Sequence, residues 1–387
     1  MDTEDMLTFL KTYNGPELKI MEVCGTHTSA IFKSGIRGVI SPAIKLISGP
    51  GCPVCVTPAS YIDRCCEYAL KPYHTVLSFG DMFKVPGISG SLASVKADGG
   101  NVELMYSPME AIKKSLTNPD TIYVVAAVGF ETTAVAYALL MDDILKNEIT
   151  NIKLLTALKT VLPALKMIVQ DDNSVDGFIC PGHVSVITGS EPFKSLADQY
   201  DRPFIIAGFQ EEHLISAIYA ITRSSTASSQ ESGVRSQNKT LDTNDANGFG
   251  GKNCQKNKLI EDNYIARPSV ASRNLYPSVV KPSGNTKALA LISEYFCKDA
   301  ALWRGIGNIP DSGLYLREDY ADYDCNSRIL SMDHEPEGCR CGDVITGKID
   351  PLECEMFGSV CTPEQAMGPC MVTAEGACGI WYQNQFW

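Results

Sequence analysis

No run of about 18 or more uncharged apolar residues occurs in this 387-residue chain, which argues against a transmembrane helix. A basic excess is missing too: 33 Lys and Arg stand against 45 Asp and Glu, a formal charge of −12. Binders of nucleic acid and of anionic membranes neutralise phosphate with clustered cations, so no nucleic acid and no membrane insertion are expected. Proteins or small molecules are the expected partners. The stretch Met1 to Lys11 carries Asp2, Glu4 and Asp5 where a secretory signal would place basic residues and then an apolar run. A cytoplasmic location is therefore expected. Neither GxGxxG nor GxxxxGK[ST] is present, so nucleotide binding has no direct signature.

Cysteine, in contrast, is abundant. There are 15, an odd number that leaves at least one thiol unpaired, and their uneven spacing in a chain of cytosolic character favours metal or redox use over a disulfide framework. Six fall in the tail: Cys339, Cys341, Cys354, Cys361, Cys370 and Cys378. Soft thiolates select iron-sulfur clusters, zinc or copper(I). Zinc sites usually show paired C-x2-4-C knuckles, which this tail lacks, so an iron-sulfur cluster is favoured over zinc. The spacing leaves open which four of the six are ligands. With Cys339, Cys354, Cys361 and Cys378 as one set, Cys341 and Cys370 remain, either as a disulfide pair that a cluster reduces one electron at a time or as small inert core residues.

Length alone suggests two or three domains, and the 44% hydrophobic content supports real cores. From Met21 to about Thr222, short aliphatic runs alternate with helical stretches, the signature of parallel α/β units. Strands are expected over Ala43 to Ser48, Thr75 to Phe79, Ile122 to Val128, Gly177 to Cys180 and Pro203 to Ala207. Helices are expected over Pro108 to Leu116 with Ser107 as cap, Thr132 to Lys146, Gln210 to Thr222 and Thr286 to Phe296. The polar stretch from Arg223 to about Lys258 should be disordered or a surface excursion. The expected class is α/β, with a first parallel-sheet domain over 21–150 and a second over 151–290 carrying a polar insertion near 223–272. The cysteine-rich region takes 291–387 together with 1–20.

Four loops carry chemistry. Gly49-Pro50-Gly51-Cys52-Pro53-Val54-Cys55 follows an expected strand, and a C-x-x-C at a strand end lets backbone amides stabilise one thiolate for disulfide exchange. Half a zinc site or a structural turn are its other readings. Cys24-Gly25-Thr26-His27-Thr28 sets a thiol and an imidazole in one Gly-containing loop, suited to binding a transition metal or activating a nucleophile, although such a pair is more often structural. Gly129-Phe130-Glu131-Thr132-Thr133 can place Glu131 at the mouth of a sheet or cap a helix. Cys180-Pro181-Gly182-His183-Val184-Ser185 presents His183, whose plainer reading is a hydrogen-bonded loop histidine. His74, His213 and His334 stand in no constellation.

Together these segments resemble the HypD family of [NiFe]-hydrogenase maturation proteins. The resemblance rests on CGTHT at Cys24 to Thr28, GPGCPVC at Gly49 to Cys55, GFETT at Gly129 to Thr133, PGHVS at Pro181 to Ser185, and the spacing of Cys339, Cys354, Cys361 and Cys378. WRGIG at Trp303 to Gly307, IPDSGLYLR at Ile309 to Arg317 and GPCMV at Gly368 to Val372 are also similar. The polar stretch from Arg223 to about Ser272 looks like an insertion, and Cys254 and Cys325 match no family cysteine. The resemblance implies two α/β domains with a region holding a [4Fe-4S] cluster on Cys339, Cys354, Cys361 and Cys378. It further implies a scaffold that, with a HypC-like chaperone, assembles the transient Fe(CN)2CO iron for the hydrogenase large subunit, with cyanide arriving from a HypE-like donor. Cys24 would be the iron ligand, assisted by His27, with Cys52 and Cys55 as the redox dithiol. A cluster-dependent thiol-disulfide oxidoreductase is the alternative class.

Overall fold

The computed structural model describes residues 2–170, 175–237, 272–328, 333 and 335–385. Eleven strands are described: β1 Leu18–Glu22, β2 Ile44–Ser48, β3 His74–Ser78, β4 Val102–Leu104, β5 Ile122–Gly129, β6 Ile152–Lys159, β7 Gly177–Pro181, β8 Phe204–Ala207, β9 Arg273–Asn274, β10 Phe296–Trp303 and β11 Gly307–Leu316. They form two sheets, one of order β2-β1-β7-β8-β9 and one of order β10-β11-β6-β5-β3-β4. The first sheet is parallel throughout. The second is parallel from β6 to β4 and carries the antiparallel hairpin β10-β11 at its other edge.

The expected α/β class is thus observed, but the sheets do not follow the expected division near residue 150. Strands β1 and β2 pair with β7 and β8, while β3 to β5 pair with β6 and the late hairpin. Each sheet therefore draws on both halves of the chain. The physical reason is that a parallel strand needs neighbours, not sequence proximity, and β1 buries itself between β2 and β7.

Burial follows the period of two that strand geometry dictates. In β5, Val124, Ala126 and Val128 enter one core while Tyr123, Val125 and Ala127 enter another. In β7 and β8, Phe178, Cys180, Phe204 and Ile206 join that same first core, and Ile179, Ile205 and Ala207 a third. A central core shared by both sheets is flanked by two outer ones. Both faces of each sheet are covered, which is why these strands read as continuous apolar runs.

The helix Glu211–Gln237 runs well past the Thr222 at which the sequence suggested its end. Neither Pro nor Gly interrupts it before Gly233, and the Ser224 and Ser225 hydroxyls donate to the Ala220 and Ile221 carbonyls one turn back. The rest of the polar stretch, with Cys254, lies outside the described residues, as does His334. Ser107 caps the turn that leads into the helix, its Oγ accepting from the Met109 N–H at 3.3 Å while its own N–H donates to Glu110 Oε1 at 3.1 Å. It precedes the helix Glu110–Thr117, whose capping position is Met109. No helix among the described residues is long and apolar enough to cross a membrane.

Candidate thiol and metal centre

Adjacent parallel strands deliver the chemistry-bearing loops to one edge. Cys24 follows β1, Cys52 and Cys55 follow β2, and His183 follows β7, all at carboxyl ends, where α/β sheets bind ligands. The loops touch through glycine. A Cβ on Gly51 would come within 2.4 Å of the Val23 carbonyl oxygen, and one on Gly25 within 2.2 Å of that of Glu375. Larger residues at either position would push the Cys24 loop away from the C-x-x-C loop or from the tail.

Cys24 occupies the capping position of the helix Gly25–Lys33. Its Sγ lies 4.0 Å from Nδ1 of His183. Burial pushes the thiol up to about 11, against the contrary pull of hydrogen bonds from Thr26 and the His27 backbone. His27 points elsewhere. Its Nε2 faces the Ala207 carbonyl at 3.2 Å, its Nδ1 is buried without a partner, and burial lowers the ring to about 4. The imidazole that meets Cys24 is therefore the distant His183, and Phe209 packs against both histidine rings, at 4.9 Å from His27 and 5.5 Å from His183.

Cys52 Sγ accepts from the Cys55 backbone N–H at 3.3 Å and lies 3.3 Å from the Thr373 hydroxyl. Burial drives the Cys52 thiol well above its usual range. Cys55 goes the other way. Burial raises it, but hydrogen bonds from Cys370, Cys52 and Thr373 and the charge of Arg304 together bring it down to about 5. Within the C-x-x-C, then, the two thiols are pushed in opposite directions, Cys52 toward the protonated form and Cys55 toward the thiolate. Cys370 in turn faces Cys341 and Cys378 as well as Cys55.

This contact of Cys55 with Cys370 is what sequence reasoning missed. It joins the C-x-x-C to the tail thiols in one chain of sulfurs. Thr373 and Glu375 complete the junction: the Glu375 carboxylate accepts from the Thr26 hydroxyl at 3.3 Å, and the Glu375 N–H donates to Thr373 Oγ1 at 3.1 Å. The similar stretch Gly368 to Val372 was the available signal, since it sets Cys370 a turn ahead of both.

A cavity in the tail is lined by all six of Cys339, Cys341, Cys354, Cys361, Cys370 and Cys378, with Met356, Met367 and Met371 among its walls. Sulfur donors on an apolar wall match the donor chemistry of an iron-sulfur cluster. Among the described residues, no three His, Cys, Asp or Glu side chains are drawn together at ligand separations. The cavity fits the group in donor type and gathers all six thiols on one wall without singling out four ligands. Burial and the neighbouring Cys341 push Cys339 up to about 12, so metal loading there must displace protons.

Glu131 stands apart from these thiols. Its Oε1 accepts from the Val161 N–H at 2.9 Å, at the start of the helix Val161–Gln170, while Oε2 is buried without a partner. His74 Nδ1 lies 2.8 Å from the Pro72 carbonyl and His213 packs on Tyr276, neither in the thiol site.

A family described as "HypD: Hydrogenase formation hypA family" matches residues 4–248 and 257–385. The chain belongs to the HypD family. Its relatives include the hydrogenase maturation factor HypD of Escherichia coli, 34% identical over 371 residues that cover 95% of this chain and 89% of that protein. The Rhodobacter capsulatus HypD is 33% identical, covering 94% and 88% of the two chains. A putative hydrogenase expression/formation protein of Methanocaldococcus jannaschii is 33% identical, covering 95% and 92%. The HypD-like motifs therefore sit in a chain that aligns with its relatives nearly end to end.

Proposed function

We propose that this chain is a hydrogenase maturation factor, acting as scaffold and electron relay for assembly of the Fe(CN)2CO group of [NiFe]-hydrogenase. A HypC-like chaperone and a HypE-like cyanide donor would be its partners. The observation that carries the reading is the approach of Cys55 to Cys370, beside the loop of Cys24. It supports passage of reducing equivalents from the tail to the edge where Cys24 and His183 meet.

The chemistry balances on these residues. Releasing cyanide from R–S–CN as R–SH and HCN takes two electrons and two protons. The Cys52–Cys55 dithiol gives up both as it closes to a disulfide. The Cys55 thiolate is the attacking sulfur: it forms a mixed disulfide with the donor sulfur as cyanide leaves, and Cys52 then displaces the donor thiol. Exchange with the Cys341–Cys370 dithiol restores Cys52 and Cys55 and leaves a disulfide in the tail. A [4Fe-4S] cluster held by Cys339, Cys354, Cys361 and Cys378 would supply single electrons there, drawn from an external one-electron donor. Cys24 would hold the iron fragment as cargo, its soft thiolate suited to a low-spin iron carrying cyanide and carbonyl. His183, whose Nδ1 lies 4.0 Å from the Cys24 sulfur, would take the proton that Cys24 must lose.

The test is anaerobic purification with a HypC-like partner, followed by Mössbauer and infrared spectra. Cyanide and carbonyl stretches are expected in the wild type and should vanish in Cys24→Ala; their survival in that variant would refute the assignment of the iron to Cys24.

A further inference from the structure

The turn Trp303 to Gly307, one of the family-like stretches still without a role, lies between the two dithiols. The Arg304 N–H donates to the Val56 carbonyl at 2.9 Å, one residue beyond Cys55. On its other side, Gly305 packs against Gly342, the residue after Cys341, so closely that a Cβ on Gly342 would come within 2.2 Å of the Gly305 oxygen. Arg304 is thereby pinned by backbone contacts to both thiol-bearing segments.

Its side chain is 1% exposed. Nη1 donates to the Pro86 carbonyl at 3.0 Å, while Nη2 is buried with no hydrogen-bond partner. A guanidinium does not lose its proton, and a buried charge without a counterion is costly. No ion pair to Arg304 occurs among the described residues. Glu335 feels its charge, but the Glu335 carboxylate accepts from the Gly342 N–H at 3.2 Å. The field of the guanidinium falls on Cys55 and Cys341.

We propose that Arg304 is the fixed charge that keeps Cys55 as the thiolate of the Cys52–Cys55 couple, acting through that sulfur as a positioning residue. The proposal rests on the reading of that couple as a redox dithiol. The groups facing Cys55 are Cys52 on its own loop, Cys370 and Cys341 from the tail, Glu375 and Arg304. Arg304 is the cation among them, and the Glu375 carboxylate opposes it. Reduction of the couple takes two electrons and one proton: the S–S bond breaks, the proton goes to Cys52 and Cys55 is left as thiolate. Stabilising that thiolate favours the reduced side, so removing the charge favours the disulfide.

The full-length chain, purified anaerobically, is equilibrated with mixtures of reduced and oxidised dithiothreitol and quenched with acid. After denaturation and alkylation, the Cys52–Cys55 peptide is counted by mass spectrometry. Arg304→Gln should shift the equilibrium at least about tenfold toward the disulfide, about 30 mV for a two-electron couple. Arg304→Lys keeps the charge and should recover most of that shift. Equal constants for wild type and both variants would overturn the proposal. Should Arg304→Gln fail to fold, the wild type alone decides, because its potential between about pH 6 and about pH 8 should vary as one proton per two electrons. Two protons per two electrons across that range would overturn it. A couple that forms no disulfide in any mixture would instead contradict the redox reading itself.

Discussion

Sγ of Cys52 lies 3.3 Å from the hydroxyl oxygen of Thr373, so the loop after β2 meets the turn after Cys370 through a single side chain. The same hydroxyl accepts from the Glu375 N–H. Thr373→Val keeps the shape and removes these contacts together with the one to Cys55. We expect a loss of about 1–3 kcal/mol in denaturant unfolding, the cost of leaving a buried donor unsatisfied. Unchanged stability would show that the hydroxyl is not a structural link.

The assignment of the tail cysteines divides by metal content. Cys354→Ala should lose iron and sulfide from anaerobically purified protein, as should the corresponding changes at Cys339, Cys361 and Cys378. Cys370→Ala and Cys341→Ala should retain both. Retention in Cys354→Ala together with loss in Cys370→Ala would exchange the two roles.

One guanidinium touches the supports of all three thiol sets. Arg37 Nη2 lies 2.6 Å from Glu22 Oε1, two residues before Cys24, and Nη1 donates to the Leu46 carbonyl on β2. Its centre stands 4.8 Å from the ring of Trp381, on the helix Ala377–Gln385 that contains Cys378. The Glu22 side chain is fully buried, so Arg37→Met strands a carboxylate and should cost about 3–5 kcal/mol. Arg37→Met with Glu22→Gln should recover part of that loss; a double variant no more stable than the single one would place the cost in packing.

Two buried groups give stability opposite dependences on pH. Burial lifts Glu131 from 4.5 to about 7, so the folded chain holds a proton that the unfolded chain releases, and stability falls as pH rises through that window. The size is about 3 kcal/mol at 1.36 kcal/mol for each pKa unit. Burial lowers His27 from 6.5 to about 4, so the unfolded chain takes up the proton first and stability is lost as pH falls through that range. The two windows overlap and their slopes oppose there, so in urea unfolding measured from about pH 4 to about pH 8 Glu131→Gln should leave stability rising with pH and His27→Gln should leave it falling. Wild-type slopes in both variants would contradict the burial argument.

Much of the first sheet and of the parallel core was legible because strands buried on both faces are continuous apolar runs. Gly177 to Cys180 was expected and Gly177–Pro181 observed, and the helix Thr132 to Lys146 differs by one residue at its start. The hairpin β10-β11 was not. Lys298, Asp299 and Pro310 lie on its exposed positions and break the pattern, and its place beside β6 is fixed by pairing far along the chain. The same holds for the site. Cys52, Cys55 and His183 were readable as loops after strands, since local spacing sets them there; Cys24 was readable only as a loop residue, because its strand β1 was not among those expected. That Cys24 meets His183 and not His27, and that Cys55 meets Cys370, depends on strand order and on how the tail packs. Spacing along the chain carries neither.

The contact of Cys55 with Cys370 is the link on which the relay depends, and it can be trapped. In Cys52→Ser the Cys55 thiolate loses its partner within the loop and is left beside Cys370. Mild oxidation of the anaerobically purified variant, followed by digestion and mass spectrometry, should yield a Cys55–Cys370 disulfide as the dominant cross-link. Cross-links that join Cys370 to Cys341 alone, with Cys55 free, would contradict the relay.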